Sequence, residues 1–136
     1  MRQELAVLGA VECRKAADVD TVLKSPGVVM MVVNSVCGCA AGKARPGIAM
    51  ALRHPSRPAT LATVFAGADI DATDRARQFM TGFAPSSPSV ALFRDGKLVY
   101  MVERRDIEQR SAEGIADLLT MAFDEYCAAD ANTARV

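Results

Sequence analysis

Apolar and polar positions along this chain run with two different periods, and each switch between them marks a new element. Residues 1–9, with Leu5 and Leu8 on one side, predict a short helix, and Val11 to Arg14 predict a weak strand. Val19, Val22 and Leu23 form a helical stripe behind Asp18, which is placed as an N-cap, and Pro26-Gly27 ends that run. Gly27-Val28-Val29-Met30-Met31-Val32-Val33-Asn34 is continuously apolar and β-branched, the pattern of a central strand buried on both faces. Cys39 to His54, rich in Ala, Met and Leu, reads as helix, with Pro46 kinking it or delaying its regular start. Thr60 to Ala66 is another buried strand. Asp71 to Met80 follows as a helix capped near Asp69 or Asp71 and stopped by Thr81-Gly82.

Ser89 to Phe93 and Leu98 to Val102 are two apolar runs flanking Asp95-Gly96, a strong hairpin signature. A closing helix is predicted from about Ser111 to Cys127, with Ile115, Leu118, Leu119, Ala122, Phe123 and Tyr126 on one face. The small, polar tail Ala128 to Val136 is expected to fray. No repeat, low-complexity tract or linker divides the chain, so a single domain over residues 1–136 is expected. The order β-α-β-α-β-α-β-β-α implies parallel pairing through the crossovers, and the hairpin adds antiparallel strands. The expected fold class is α/β, with a central mixed β-sheet flanked by helices on both faces.

Composition narrows the function classes. The chain has 136 residues, long enough to bury a core without disulfide staples, and 51% of them are apolar. Lys plus Arg and Asp plus Glu balance at 16 each, which gives a nucleic-acid or anionic-membrane partner no electrostatic support. Aromatic residues make up only 5%, which argues against base stacking. Met1-Arg2-Gln3-Glu4-Leu5 is not followed by a signal-peptide h-region, and the longest apolar run, Val28 to Val33, is too short to cross a bilayer. A cytoplasmic, reducing setting is therefore expected. There the four cysteines read as thiols, metal ligands or redox groups rather than structural bridges.

Cys37-Gly38-Cys39 is the centre of the candidate chemistry. Cys37 follows the most buried predicted strand and precedes a helix, where open α/β sheets place their sites. A helix N-terminus favours thiolate over thiol, and Lys43 and Arg45 on the same segment could add to this. Gly38 allows the tight backbone needed to bring the sulfurs together. A bridge between residues two apart is cramped, so a relatively oxidising couple is expected. Two blander readings stand beside this one: buried structural thiols, or two thiolates sharing a soft metal. A closed zinc site would need Cys13 and Cys127 to converge on the same point, since His54 is the single histidine. Otherwise Cys127 reads as a bystander ending an amphipathic helix, Cys13 as a core residue, and His54 as a helix-end residue near the C-terminal dipole. Pro88, just before the hairpin strand, is either a trans proline opening that strand or the cis proline of a redox loop. Arg104-Arg105-Asp106 reads as a solvated turn, with a minority reading in which one arginine recognises a carboxylate.

Several segments carry a resemblance to a known family. Val32-Val33-Asn34-Ser35-Val36-Cys37-Gly38-Cys39-Ala40-Ala41-Gly42, followed by Ala44-Arg45-Pro46, closely resembles the active-site segment of the bacilliredoxins. So do Thr63-Val64-Phe65-Ala66-Gly67, Phe79-Met80-Thr81-Gly82, Pro85-Ser86-Ser87-Pro88-Ser89 and the ending Phe123-Asp124 to Cys127. The resemblance implies a thioredoxin-like fold without a cofactor. It implies a thiol–disulfide oxidoreductase that removes bacillithiol from mixed disulfides on protein cysteines, with weak disulfide reductase or isomerase activity. Cys37 would be the attacking thiolate and Cys39 the resolving or modulating thiol. Gly38, Ser87 and Pro88 would meet the substrate, Pro88 would match the cis proline, and Cys127 the family's C-terminal cysteine. The implied partners are S-thiolated client proteins, bacillithiol or an analogue, and a reducing partner for the oxidised pair. Three features depart from the family: the segment before Leu5 is short, Arg104-Arg105 stands where Arg-His is common, and Cys13 has no counterpart. The alternative from another class is a metal-binding or metal-delivery module built on the Cys37 and Cys39 thiolates. A third is an inert interaction domain.

Overall fold

The structure is a computed structural model that describes residues 5–35 and 40–127, with Ala40 and Ala41 described by their backbone alone. Leu5 is fully buried in a short helical turn that closes at Gly9, whose φ of +93° suits a residue without Cβ. The elements that follow are β1 (Val11–Glu12), α1 (Ala16–Leu23), β2 (Val28–Asn34), a π-helical turn (Ala40–Ala44), α2 (Arg45–Ala51) and β3 (Thr60–Phe65). They continue with α3 (Ile70–Phe79), β4 (Ser89–Arg94), β5 (Lys97–Val102), α4 (Arg104–Glu108) and α5 (Ala112–Tyr126).

The five strands form one sheet in the order β1-β3-β2-β4-β5. β2 pairs in parallel with β3 and antiparallel with β4, and β4 pairs antiparallel with β5. All seven residues of β2 are buried, as its unbroken apolar run predicts for a strand covered on both faces. Alternate side chains divide between two cores. Val28, Met30 and Val32 pack with Ile48 of α2 and Ile115, Leu119 and Phe123 of α5. Val29, Met31 and Val33 pack with Val19 and Leu23 of α1 and Ala72 and Ala76 of α3. Each of the Val, Leu, Ile, Met and Phe side chains among these contributes about 1.5–3 kcal/mol on leaving water, before conformational entropy is set against it. The α/β class and the helices on both faces of a mixed sheet are thus as expected.

Local chemistry explains the boundaries, including those that differ from expectation. Asp18 is not the N-cap of α1. It is the third helical residue, and its carboxylate accepts from the backbone N–H groups of Arg14 and Lys15, each at 3.1 Å, while Lys15 holds the cap position. A carboxylate reaching back from the first turn satisfies the same orphan donors from inside the helix. The segment after Cys39 does not run to His54 as one helix. It starts as a π turn and becomes regular at Arg45, with Pro46, which has no N–H to donate, in the first turn. It ends at Ala51, and a further turn carries the chain through His54. β1 is shorter than Val11 to Arg14. The hairpin turns on Asp95 and Gly96 at φ of 54° and 76°, the left-handed pair a tight hairpin requires. Arg104-Arg105-Asp106 is not a turn but the start of helix α4, whose Asp106 accepts from the Glu103 N–H at 3.0 Å.

Candidate active site

Three strand ends meet at one edge of the sheet. β2 delivers Asn34 and Ser35 there, and β4, running the opposite way, begins there because Ser89 pairs with Val33. β5 also ends there, since Val102 pairs with Val90, and α4 follows it directly. The carboxyl end of a central parallel strand is where α/β sheets collect their reactive groups. Val36, Cys37, Gly38 and Cys39 lie outside the described residues, but both flanks of this segment are described.

On the upstream flank, Asn34 and Ser35 are buried, and so is Arg45 of α2 at 3% exposure. Arg45 Nη1 donates to Asn34 Oδ1 at 2.9 Å and to the Ser35 carbonyl at 3.0 Å. Asn34 Oδ1 also accepts from the Ser35 N–H at 2.9 Å, so one amide oxygen ties the strand end to the helix start. Asn34 Nδ2 is buried and has no hydrogen-bond partner among the described residues. The buried guanidinium is thus bound to the carbonyl of Ser35, which stands two residues before Cys37 in the sequence. The sequence marks Arg45 as a possible contributor. It offers no partner for Arg45, although a lone Asn ending an apolar strand is a signal that could have found one.

The loop before β4 supplies the second wall. The Ser87–Pro88 peptide bond is cis, and Ser89 Oγ donates to the Ser86 carbonyl at 3.2 Å. Ser87 and Pro88 therefore stand at the edge where β2 ends, since they directly precede Ser89, the partner of Val33. The helix α4 reaches both parts. Arg104 Nη1 donates to the Ser87 carbonyl at 3.2 Å, and the Arg104 N–H meets Ser86 Oγ at 3.4 Å. Arg104 Nε bonds Glu108 Oε1 at 2.6 Å, and Lys43 Nζ, from the π turn, donates to the Glu108 carbonyl at 2.7 Å. A cleft of about 270 Å³ opens alongside, lined by Pro85, Ser86, Glu103, Arg104, Arg105 and Glu108.

The remaining candidates lie elsewhere. Cys13 is fully buried among the α1 and α3 side chains, whereas Cys127 is buried in the core on the other face of the sheet. The two cannot converge, so the four-cysteine zinc site does not form. Burial first, then the nearby carboxylates of Asp18 and Asp69, push the Cys13 thiol from 9.0 up to about 11. His54 Nε2 lies 2.7 Å from Asp124 Oδ1 of α5, a pairing at the far end of α2.

Sheet order, helices on both faces and a cis proline at the carboxyl edge of the central strand define a protein of thioredoxin fold. Among solved structures the chain is similar to the thioredoxin of Fasciola hepatica, with a TM-score of 0.60 and 16% identity over 85% of this chain and 97% of that one. Mitochondrial thioredoxin 3 of Saccharomyces cerevisiae also gives a TM-score of 0.60, at 11% identity over 87% of this chain and 96% of that one. At such identities the likeness speaks for the fold alone. Sequence relatives are nearer. A bacilliredoxin of Koribacter versatilis is 55% identical over 96% of this chain and 91% of its own length. Bacilliredoxins of Cytophaga hutchinsonii and Staphylococcus aureus are 50% and 46% identical, over 92% and 93% of this chain and 93% and 87% of their own lengths. The family described as "Disulphide isomerase" matches residues 1–127. The chain belongs to the bacilliredoxin family. No helix among the described residues is long and apolar enough to cross a membrane.

Proposed function

We propose that this chain is a thiol–disulfide oxidoreductase that takes bacillithiol, or a small thiol like it, from mixed disulfides on protein cysteines, with Cys37 as nucleophile. The observation that carries this reading is the placement of Cys37-Gly38-Cys39 between a strand end and a helix start that Arg45 locks together. Its relatives' name and the family description support it.

The Cys37 thiolate attacks the small-thiol sulfur of the mixed disulfide. The new sulfur–sulfur bond joins Cys37 to the small thiol, and the client cysteine leaves as thiolate. The Cys39 thiolate then attacks Cys37, the small thiol leaves, and a Cys37–Cys39 bridge remains. Two electrons from a dithiol-type reductant reset that bridge. In the alternative ending a second small thiol attacks the adduct and leaves as a symmetric disulfide, and Cys39 serves only to tune Cys37. Gly38, Ser87 and Pro88 would offer backbone to the substrate, and slow protein-disulfide exchange would follow from the same chemistry.

Two substitutions separate these routes. Cys37→Ala is expected to abolish transfer of the small thiol from a thiolated client; transfer that survives it would sink the proposal. Cys39→Ala is expected to accumulate the Cys37 adduct if Cys39 resolves, and unchanged turnover would assign it the tuning role. Purified under reducing conditions, the protein should carry no stoichiometric zinc, copper or iron on these sulfurs, since bound metal would favour the metal-module alternative.

A further inference from the structure

Arg104-Arg105 stands where the family commonly has Arg-His, so Arg104 keeps the pattern and Arg105 departs from it. In the fold, α4 is the element that touches both walls of the candidate site. Its first residue holds the Ser86–Ser87 loop through two contacts, Nη1 to the Ser87 carbonyl and N–H to Ser86 Oγ. Its last residue receives Lys43 from the π turn that follows Cys39, on a carbonyl at the negative end of the helix. The Arg104–Glu108 pair, at 2.6 Å and one helical turn apart, closes the circuit inside α4. The guanidinium fork is what lets a single side chain serve Glu108 and Ser87 together. Arg105, by contrast, is 77% exposed and pairs at 3.2 Å with Glu103.

We propose that α4 is a bracket between the Ser86-Ser87-Pro88 loop and the segment after Cys39, and that Arg104 is a positioning residue for the client. This rests on the thiol-exchange reading. By holding the Ser87 carbonyl, Arg104 fixes the backbone edge along which a thiolated client is laid, without touching the reacting sulfurs.

The test is steady-state kinetics on a protein mixed disulfide, alongside the rate at which iodoacetamide alkylates Cys37. Arg104→Ala should raise KM about fivefold to tenfold, the loss expected for one charge-assisted bond at a half-exposed site, with kcat little changed. Arg104→Lys keeps the charge but has one nitrogen for two acceptors, so its KM should fall between the two. Arg105→Ala leaves the Ser87 carbonyl contact in place and should raise KM less than Arg104→Ala does. Alkylation of Cys37, which needs no client surface, should keep its rate in all three. An unchanged or lowered KM in Arg104→Ala, or the same rise in Arg105→Ala, would overturn the proposal. Should Arg104→Ala fail to fold, the KM of Arg104→Lys decides alone, and a value equal to the unmodified protein's counts against the bracket. Survival of transfer in Cys37→Ala is a separate outcome and strikes only the underlying reading.

Discussion

Asn34 and Arg45 lie 11 residues apart in sequence, yet they share the hydrogen bond that joins the central strand to the helix of the candidate site. That pairing is not legible from either residue alone, because it depends on the path of the segment between them. What the sequence does carry is an unusual placement, a carboxamide that ends a strand buried on both faces, whereas the burial of Arg45 is visible only in the fold. Cys13 shows the opposite case, a residue whose bland reading as core is correct. Its raised pKa makes a pH prediction. The unfolded chain loses the thiol proton near 9, whereas the folded chain holds it up to about 11. Over that interval the unfolded state binds fewer protons, so stability should fall as pH rises through it and level off above. The full shift corresponds to roughly 3 kcal/mol. Denaturant melts at pH 8, 9, 10 and 11 should show this alkaline loss, and Cys13→Ala should show a shallower one, with Tyr100, whose phenol burial also pushes up, keeping its own share. Identical slopes in the two proteins would refute the assignment.

Among elements, the long periodic ones are legible and the short irregular ones are not. β2, the hairpin and α5 fall where their patterns place them, because each is set by burial or by a local turn. α4 escapes detection because its five residues include four charged side chains, and its structure comes from the Asp106 cap and its contacts with neighbouring segments. The contact between α2 and α5 is likewise invisible in one dimension. It depends on Gly47, where an added Cβ would lie 2.8 Å from Ile115 Cγ2 and 3.0 Å from the Ala112 carbonyl. Gly47→Ala ordinarily gains helix propensity. Here it should cost about 1–3 kcal/mol by overpacking, since a backbone carbonyl cannot swing aside. A thermal midpoint equal to or above the parent's would contradict this close approach.

For the whole molecule, a mixed sheet with helices on both faces brings the ends of β2 and β5 and the start of β4 to one edge. The order of helices and strands along the chain is enough to predict that class of architecture. The meeting of Ser87-Pro88 with the flanks of Cys37-Gly38-Cys39 follows from strand register, a tertiary fact. Substrate chemistry is the least legible part, because one thiolate site serves many disulfides, and its identity rests on family membership. The direct test of the central claim is mass spectrometry of the reduced protein with client proteins carrying bacillithiol, glutathione or coenzyme A as mixed disulfides. The account predicts loss of the small thiol from the client, with its mass appearing on Cys37 or a bridge forming between Cys37 and Cys39, fastest for bacillithiol. A client that stays thiolated while Cys37 remains unmodified with all three would contradict it.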